Sequence, residues 1–161
     1  MSTVYNLKNK WMAELVFWAI TIDLLFAIVY PVYQFYGDKF PYIMFNASAV
    51  LIFLLFTRYI FLLRFAPLSH NPWIKLVLLF SCIPIFLYLL NGLWDFQNFL
   101  DIGMLENIAR ADASFAKNES MNKYTTYEFI FFSTGALITT VIMPVRMVIS
   151  IFRVMNKKDK V

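Results

Sequence analysis

The sequence predicts an all-α membrane protein: four transmembrane helices in an antiparallel bundle, plus an amphipathic helix in the third connector. Three observations carry this. Four apolar runs, about 15–36, 42–63, 73–94 and 127–152, each reach the length that a spanning helix needs. The chain is 61% hydrophobic and 15% charged, whereas soluble domains carry about 25% charged residues. The first two connectors are short, and short links make neighbouring helices antiparallel. The reading is a single membrane domain over 1–161, with spans at about 12–36, 41–64, 73–95 and 126–153 and an extramembrane connector at about 96–125.

The first ten residues are polar and include Lys8 and Lys10. The apolar run that follows is too long for a signal-peptide core and has no small-residue cleavage site, so the first span is expected to stay. Trp11, Trp73 and Trp94 fall near span ends, where aromatic belts form. Gly37-Asp38-Lys39-Phe40-Pro41 reads as a tight turn. Pro41 and Pro72 stand at helix starts, where a missing N–H costs little. Pro84 and Pro144 lie inside spans and are expected to kink them.

The third connector is the one sizeable extramembrane piece. Phe96, Phe99/Leu100, Met104, Ile108, Ala111 and Phe115 recur at helical spacing, with Asp101, Glu106, Arg110, Asp112 and Lys117 between them. This pattern predicts an amphipathic helix over 101–117, burying Met104, Ile108 and Phe115. It would cover the mouth of its own bundle, lie on the membrane surface or dock a partner.

Basic residues set the expected orientation. One side carries Lys8, Lys10, Arg58, Arg64, Lys75, Arg146, Arg153, Lys157, Lys158 and Lys160; the other carries Lys39, Arg110, Lys117 and Lys123. Ten against four places both termini in the cytoplasm, with the third connector opposite. The expected location is a bacterial inner (cytoplasmic) membrane. The basic C-terminus suits anionic lipid headgroups, at about 1 kcal/mol per charge near the surface.

An ionisable group at mid-bilayer costs about 2.5–3.5 kcal/mol on insertion scales and is a functional hypothesis by default. Asp23 lies near the centre of the first span, on a face that also carries Ala19, Ala27, Tyr30 and Gln34. Glu14 lies nine residues earlier, and nine steps of about 100° put it on the opposite face. Asp23 is therefore expected to face the interior, with Arg58 or Arg146 as its partner, and Glu14 to face headgroups or another subunit. Arg64 and Arg153 belong to the same interface or headgroup class. The alternative for both intramembrane arginines is snorkelling. In the third span, Tyr88, Asn91, Asp95 and Asn98 form a polar face, read as a hydrogen-bonded end cap or the mouth of a polar cavity. Small residues at Asn46-Ala47-Ser48-Ala49 and at 133–136 predict that the second and fourth spans touch.

The rest of the chemistry is sparse. The chain has one Cys, Cys82, and one His, His70. They allow no internal disulfide, no protein-only zinc site and no bis-histidine haem, so no metal or cofactor is expected. The net charge of +4 does not imply nucleic acid, because the basic residues flank apolar spans. A vitamin K epoxide reductase-like enzyme would need paired cysteines, and a small multidrug exporter would have much shorter loops. The preferred function is a non-catalytic integral membrane subunit, structural or accessory in a larger complex or homo-oligomer. Its partners would be the lipid bilayer and other membrane subunits or further copies of itself. One alternative is a small transporter or channel that uses Asp23 with Arg58 and Arg146. Another is a lipid- or quinone-linked membrane enzyme.

The orientation predicts a labelling pattern. A cysteine replacing Ser2 or Asp159 should be shielded from an impermeant thiol reagent in intact cells, and one replacing Asn118 should react. Reaction at either terminus would reverse the topology.

Overall fold

The computed structural model describes residues 2–62, 72–108 and 110–158. They form helices α1 (Ser2–Tyr36), α2 (Ile43–Leu62), α3 (Pro72–Asp101), α4 (Met104–Asn107) and α5 (Phe115–Lys158), with a 3-10 turn at Gly37–Lys39. α1, α2, α3 and α5 are each long and apolar enough to cross a membrane, and no strand occurs among the described residues. The chain is an all-α bundle and an integral membrane protein.

Local chemistry sets the helix ends. α1 stops where Gly37 adopts a φ of 57°, a left-handed conformation that glycine takes without a Cβ clash. Pro72 starts α3, at the position where proline suits a helix. Ser114 caps α5: its side chain accepts a hydrogen bond from the Lys117 N–H at 3.4 Å. α5 has 44 residues, so it is about 66 Å long, roughly twice the hydrocarbon thickness. Its first turns project from the bundle.

The helix in the third connector is much shorter than the periodicity implied. α3 runs to Asp101, and Gly103 then adopts a φ of 67° and breaks the helical frame. Phe96 and Phe99 belong to α3, and Phe115 already opens α5. Only α4 remains between them. The break also rotates the apolar face. Leu105 is buried, Ile108 packs at the edge of the core, and Met104 and Phe115 are 41% and 84% exposed. Arg110 closes the link by a two-pronged pair with Asp112, at 3.0 and 2.7 Å. Those hydrogen bonds hold the Asp112 carboxyl below its ordinary pKa.

α5 is the spine of the bundle. It packs most extensively against α2 and α3, while α1 packs mainly on α2. The contact expected between the second and fourth spans is present: Asn46, Ala49, Ser133 and Ala136 are all buried. Two close approaches shape the bundle. The Phe53 ring lies on Gly135 of α5, and the Phe45 ring lies on Gly92 of α3. Around them is an aromatic core at the connector end, the end that carries the Gly37 turn and α4. Phe96 and Phe129 stack with ring centroids 3.7 Å apart, and Phe45 stacks with Phe129 at 5.3 Å. A smaller core of Phe56, Tyr59, Cys82, Met143 and Met147 fills the terminal end.

A Cβ at Gly92 would lie 1.9 Å from the Phe45 ring. The ring is held against Phe129 and has little room to move. Gly92→Ala should therefore destabilise the protein by about 1–3 kcal/mol, as overpacked cores do. Thermal unfolding in detergent checks this, and adding Phe45→Leu should recover part of the loss.

Candidate functional site

The groups most costly to place in a membrane fall into three separate sites. The first lies at the terminal end, between α1 and α2. Arg58 Nη2 forms a salt bridge with Glu14 Oε2, and both side chains are 8% exposed. The Tyr59 hydroxyl donates to Glu14 Oε1 at 3.0 Å. The Arg58 guanidinium lies over the Phe17 ring at 4.9 Å and over the Tyr59 ring at 5.0 Å. Phe17 is three residues beyond Glu14, so both share a face of α1. A planar guanidinium with a carboxylate at its edge and aromatic rings beside it suits a dry site. Opposite charges neutralise each other there, and the pair ties α1 to α2.

This arrangement corrects the expectation for Asp23. Asp23 is exposed on the outer face of α1 and meets neither Arg58 nor Arg146; Glu14 takes the interior position. The two carboxylates do lie on opposite faces, as their spacing requires. Depth decides which one turns inward. Arg58 is four residues from the end of α2, and antiparallel packing sets it level with Glu14. Asp23 lies nine residues further along α1, about 14 Å away along the axis.

Arg146 is half-buried, and its Nε is buried without a hydrogen-bond partner. Arg153 is exposed, and Arg64 lies outside the described residues. On α3, Tyr88, Asn91, Asp95 and Asn98 are all exposed. The Tyr88 hydroxyl is 3.1 Å from Ser48 Oγ, and the Asp95 backbone carbonyl accepts a hydrogen bond from Tyr42 at 3.3 Å. These residues form an outward stripe on α3.

The other two sites join residues whose pairing the sequence does not show. Asn46 Nδ2 donates to Glu128 Oε2 at 2.8 Å, joining α2 to α5 near the connector end. Both residues are buried, and Asn46 Oδ1 and Glu128 Oε1 have no hydrogen-bond partner. Position was the available signal: both stand near the connector end of their apolar runs. Lys75, counted above only as a topology charge, is 1% exposed and donates to Ser150 Oγ at 2.9 Å. It joins α3 to α5.

The three sites do not converge on one pocket. At the connector end a cleft of about 720 Å³ lies between α4 and the projecting turns of α5, lined by Leu105, Glu106, Asn118, Asn122 and Lys123 among others. Lys123 is engaged with Glu119 at 2.6 Å. Among the described residues, no group of three or more His, Cys, Asp or Glu could hold a metal ion. The buried charges act chemically as ties between helices.

Removing one partner of a buried pair leaves an uncompensated charge and costs about 3–5 kcal/mol. Glu14→Gln and Arg58→Met should each destabilise the protein on that scale, and Asp23→Asn far less. The double variant that combines Glu14→Gln with Arg58→Met should cost less than the sum of the two single changes. Unfolding midpoints in detergent measure all four, and simple additivity would show that the pair is uncoupled.

Searches of protein-family models, curated proteins and solved structures find no match to this chain, so its role has to be read from its own residues.

Proposed function

We propose that this chain is a non-catalytic membrane subunit, structural or accessory, which binds other membrane proteins or further copies of itself through its lateral surface. One observation carries the reading. Asp23, near the middle of the α1 span, is exposed on the outside of the bundle. A carboxyl group facing hydrocarbon there costs about 2.5–3.5 kcal/mol. A neighbouring transmembrane segment that covers it removes that cost. α1 has the surface for such a neighbour, because it packs mainly against α2 and leaves Leu15, Val16, Phe26 and Tyr30 exposed.

The inward charges support the same reading. Glu14, Arg58, Lys75 and Glu128 each engage another helix of this chain. A catalytic site needs polar groups that converge on a pocket, and these groups are spread over separate helix contacts. The transporter reading relied on Asp23 beside Arg58 and Arg146, and those residues do not meet. The proposed setting is a bacterial inner membrane with both termini cytoplasmic, supported by the ten-to-four basic asymmetry. The basic C-terminus adds an attraction to anionic headgroups.

The reading predicts the native size of the protein. Extracted from its own membrane in mild detergent, the chain should run in a complex larger than the monomer. A lone monomer under these conditions would overturn the proposal.

A further inference from the structure

We infer that the partner of the α1 surface is a transmembrane helix of a different protein that presents a lysine or arginine at mid-bilayer depth. This rests on the subunit reading above and names the chemistry of its contact. Ala19, Asp23, Ala27, Tyr30 and Gln34 recur at intervals of four, four, three and four residues. That spacing aligns them along one stripe of α1. All five are exposed.

Depth makes the stripe selective. Asp23 lies about 18 Å from Trp11 at one end of the span and about 20 Å from Tyr36 at the other, taking 1.5 Å per residue. Its side chain is too short to bring the carboxyl to either headgroup layer, unlike the long stems of lysine and arginine. Among the described residues, no hydrogen-bond donor or cation of this chain meets it. Ala19 and Ala27 flank it one turn away on each side, so a second helix can approach closely at this level. A carboxylate held in a dry helix contact is best complemented by a cation. A neutral donor would leave the charge in place.

The same charges argue against a second copy as the occupant. At membrane depth Arg58 is paired with Glu14, Lys75 is buried on Ser150, and Arg146 is half-buried with its Nε enclosed. A second copy would thus bring another Asp23 to the contact, and the exposed Arg153 stands at the terminal end of its span, away from the mid-bilayer depth of Asp23. The cation has to come from another chain.

Model helices test this directly. The full-length chain, donor-labelled, is reconstituted in phosphatidylcholine vesicles with acceptor-labelled Leu/Ala peptides of about 20 residues. The peptides share identical flanks and differ only at the central residue: Lys, Asn or Leu. Energy transfer should show the Lys peptide binding at least about tenfold more tightly than the other two. Asp23→Leu should abolish that preference. Equal binding of the Asn or Leu peptide, or a Lys preference that survives Asp23→Leu, would overturn the inference. So would transfer between copies of the chain alone that Asp23→Leu removes, because that result assigns the stripe to self-association. Native extraction separates this inference from the reading beneath it. A complex that shrinks on Asp23→Leu supports both. A complex unchanged in size overturns the cation contact and leaves the subunit reading standing, and a lone monomer overturns both.

Discussion

Hydrocarbon solvates an apolar side chain about as well as a protein interior does, so apolar burial gives membrane helices little reason to prefer one another. Each contact in this bundle has to be held by shape or by a polar group. Both devices are visible, and α5 takes part in each. Phe45 and Phe53 lie against glycines, where no side chain would otherwise leave room for them. The Phe96–Phe129–Phe45 stack then fills the connector end between α3, α5 and α2. Polar ties add the second device at two depths. Asn46–Glu128 and Lys75–Ser150 join α5 to α2 and α3, and Glu14–Arg58 joins α1 to α2.

The division of charges follows from that constraint. A buried ion pair gains little net stability once desolvation is counted, yet losing one partner is expensive. Glu14–Arg58 therefore fixes the register of α1 on α2 more than it strengthens the bundle. Its aromatic surroundings, Phe17 and Tyr59, keep water from competing for the guanidinium. With these groups consumed internally, Asp23 is the carboxyl left on an outer surface at mid-span. The charges therefore divide into helix ties inside the bundle and one carboxyl on its outer face, and the proposed lateral contact rests on that asymmetry.

Some of this was legible residue by residue. The length of the apolar runs announced four spans, and Gly37 announced the first turn. Small residues near Asn46 and Gly135 marked where the second and fourth spans meet, because close backbone approach in lipid needs them. The connector was less legible. Its helical period was real over 96–100 but belonged to the end of α3, and Gly103 interrupted it. A periodicity count cannot see a single residue that adopts a left-handed φ and restarts the frame.

The intramembrane site was legible only in its ingredients. Sequence spacing alone placed Glu14 and Asp23 on opposite faces of α1, because a helix turns by about 100° per residue. It also put Arg58 near the terminal end of its span. Which carboxylate turned inward depended on the relative depth of α1 and α2 and on the rotation of α1, and those are properties of two packed helices. The same holds for Asn46 with Glu128 and for Lys75 with Ser150, residues 82 and 75 positions apart in the chain. The sequence by itself determined that this protein lives in a membrane, how many times it crosses and which residues are costly there, because those follow from transfer energies and helix period. The tertiary structure alone decided which of the costly residues are satisfied within the chain and which one is left facing outward, because a partner for a buried charge is a matter of distance.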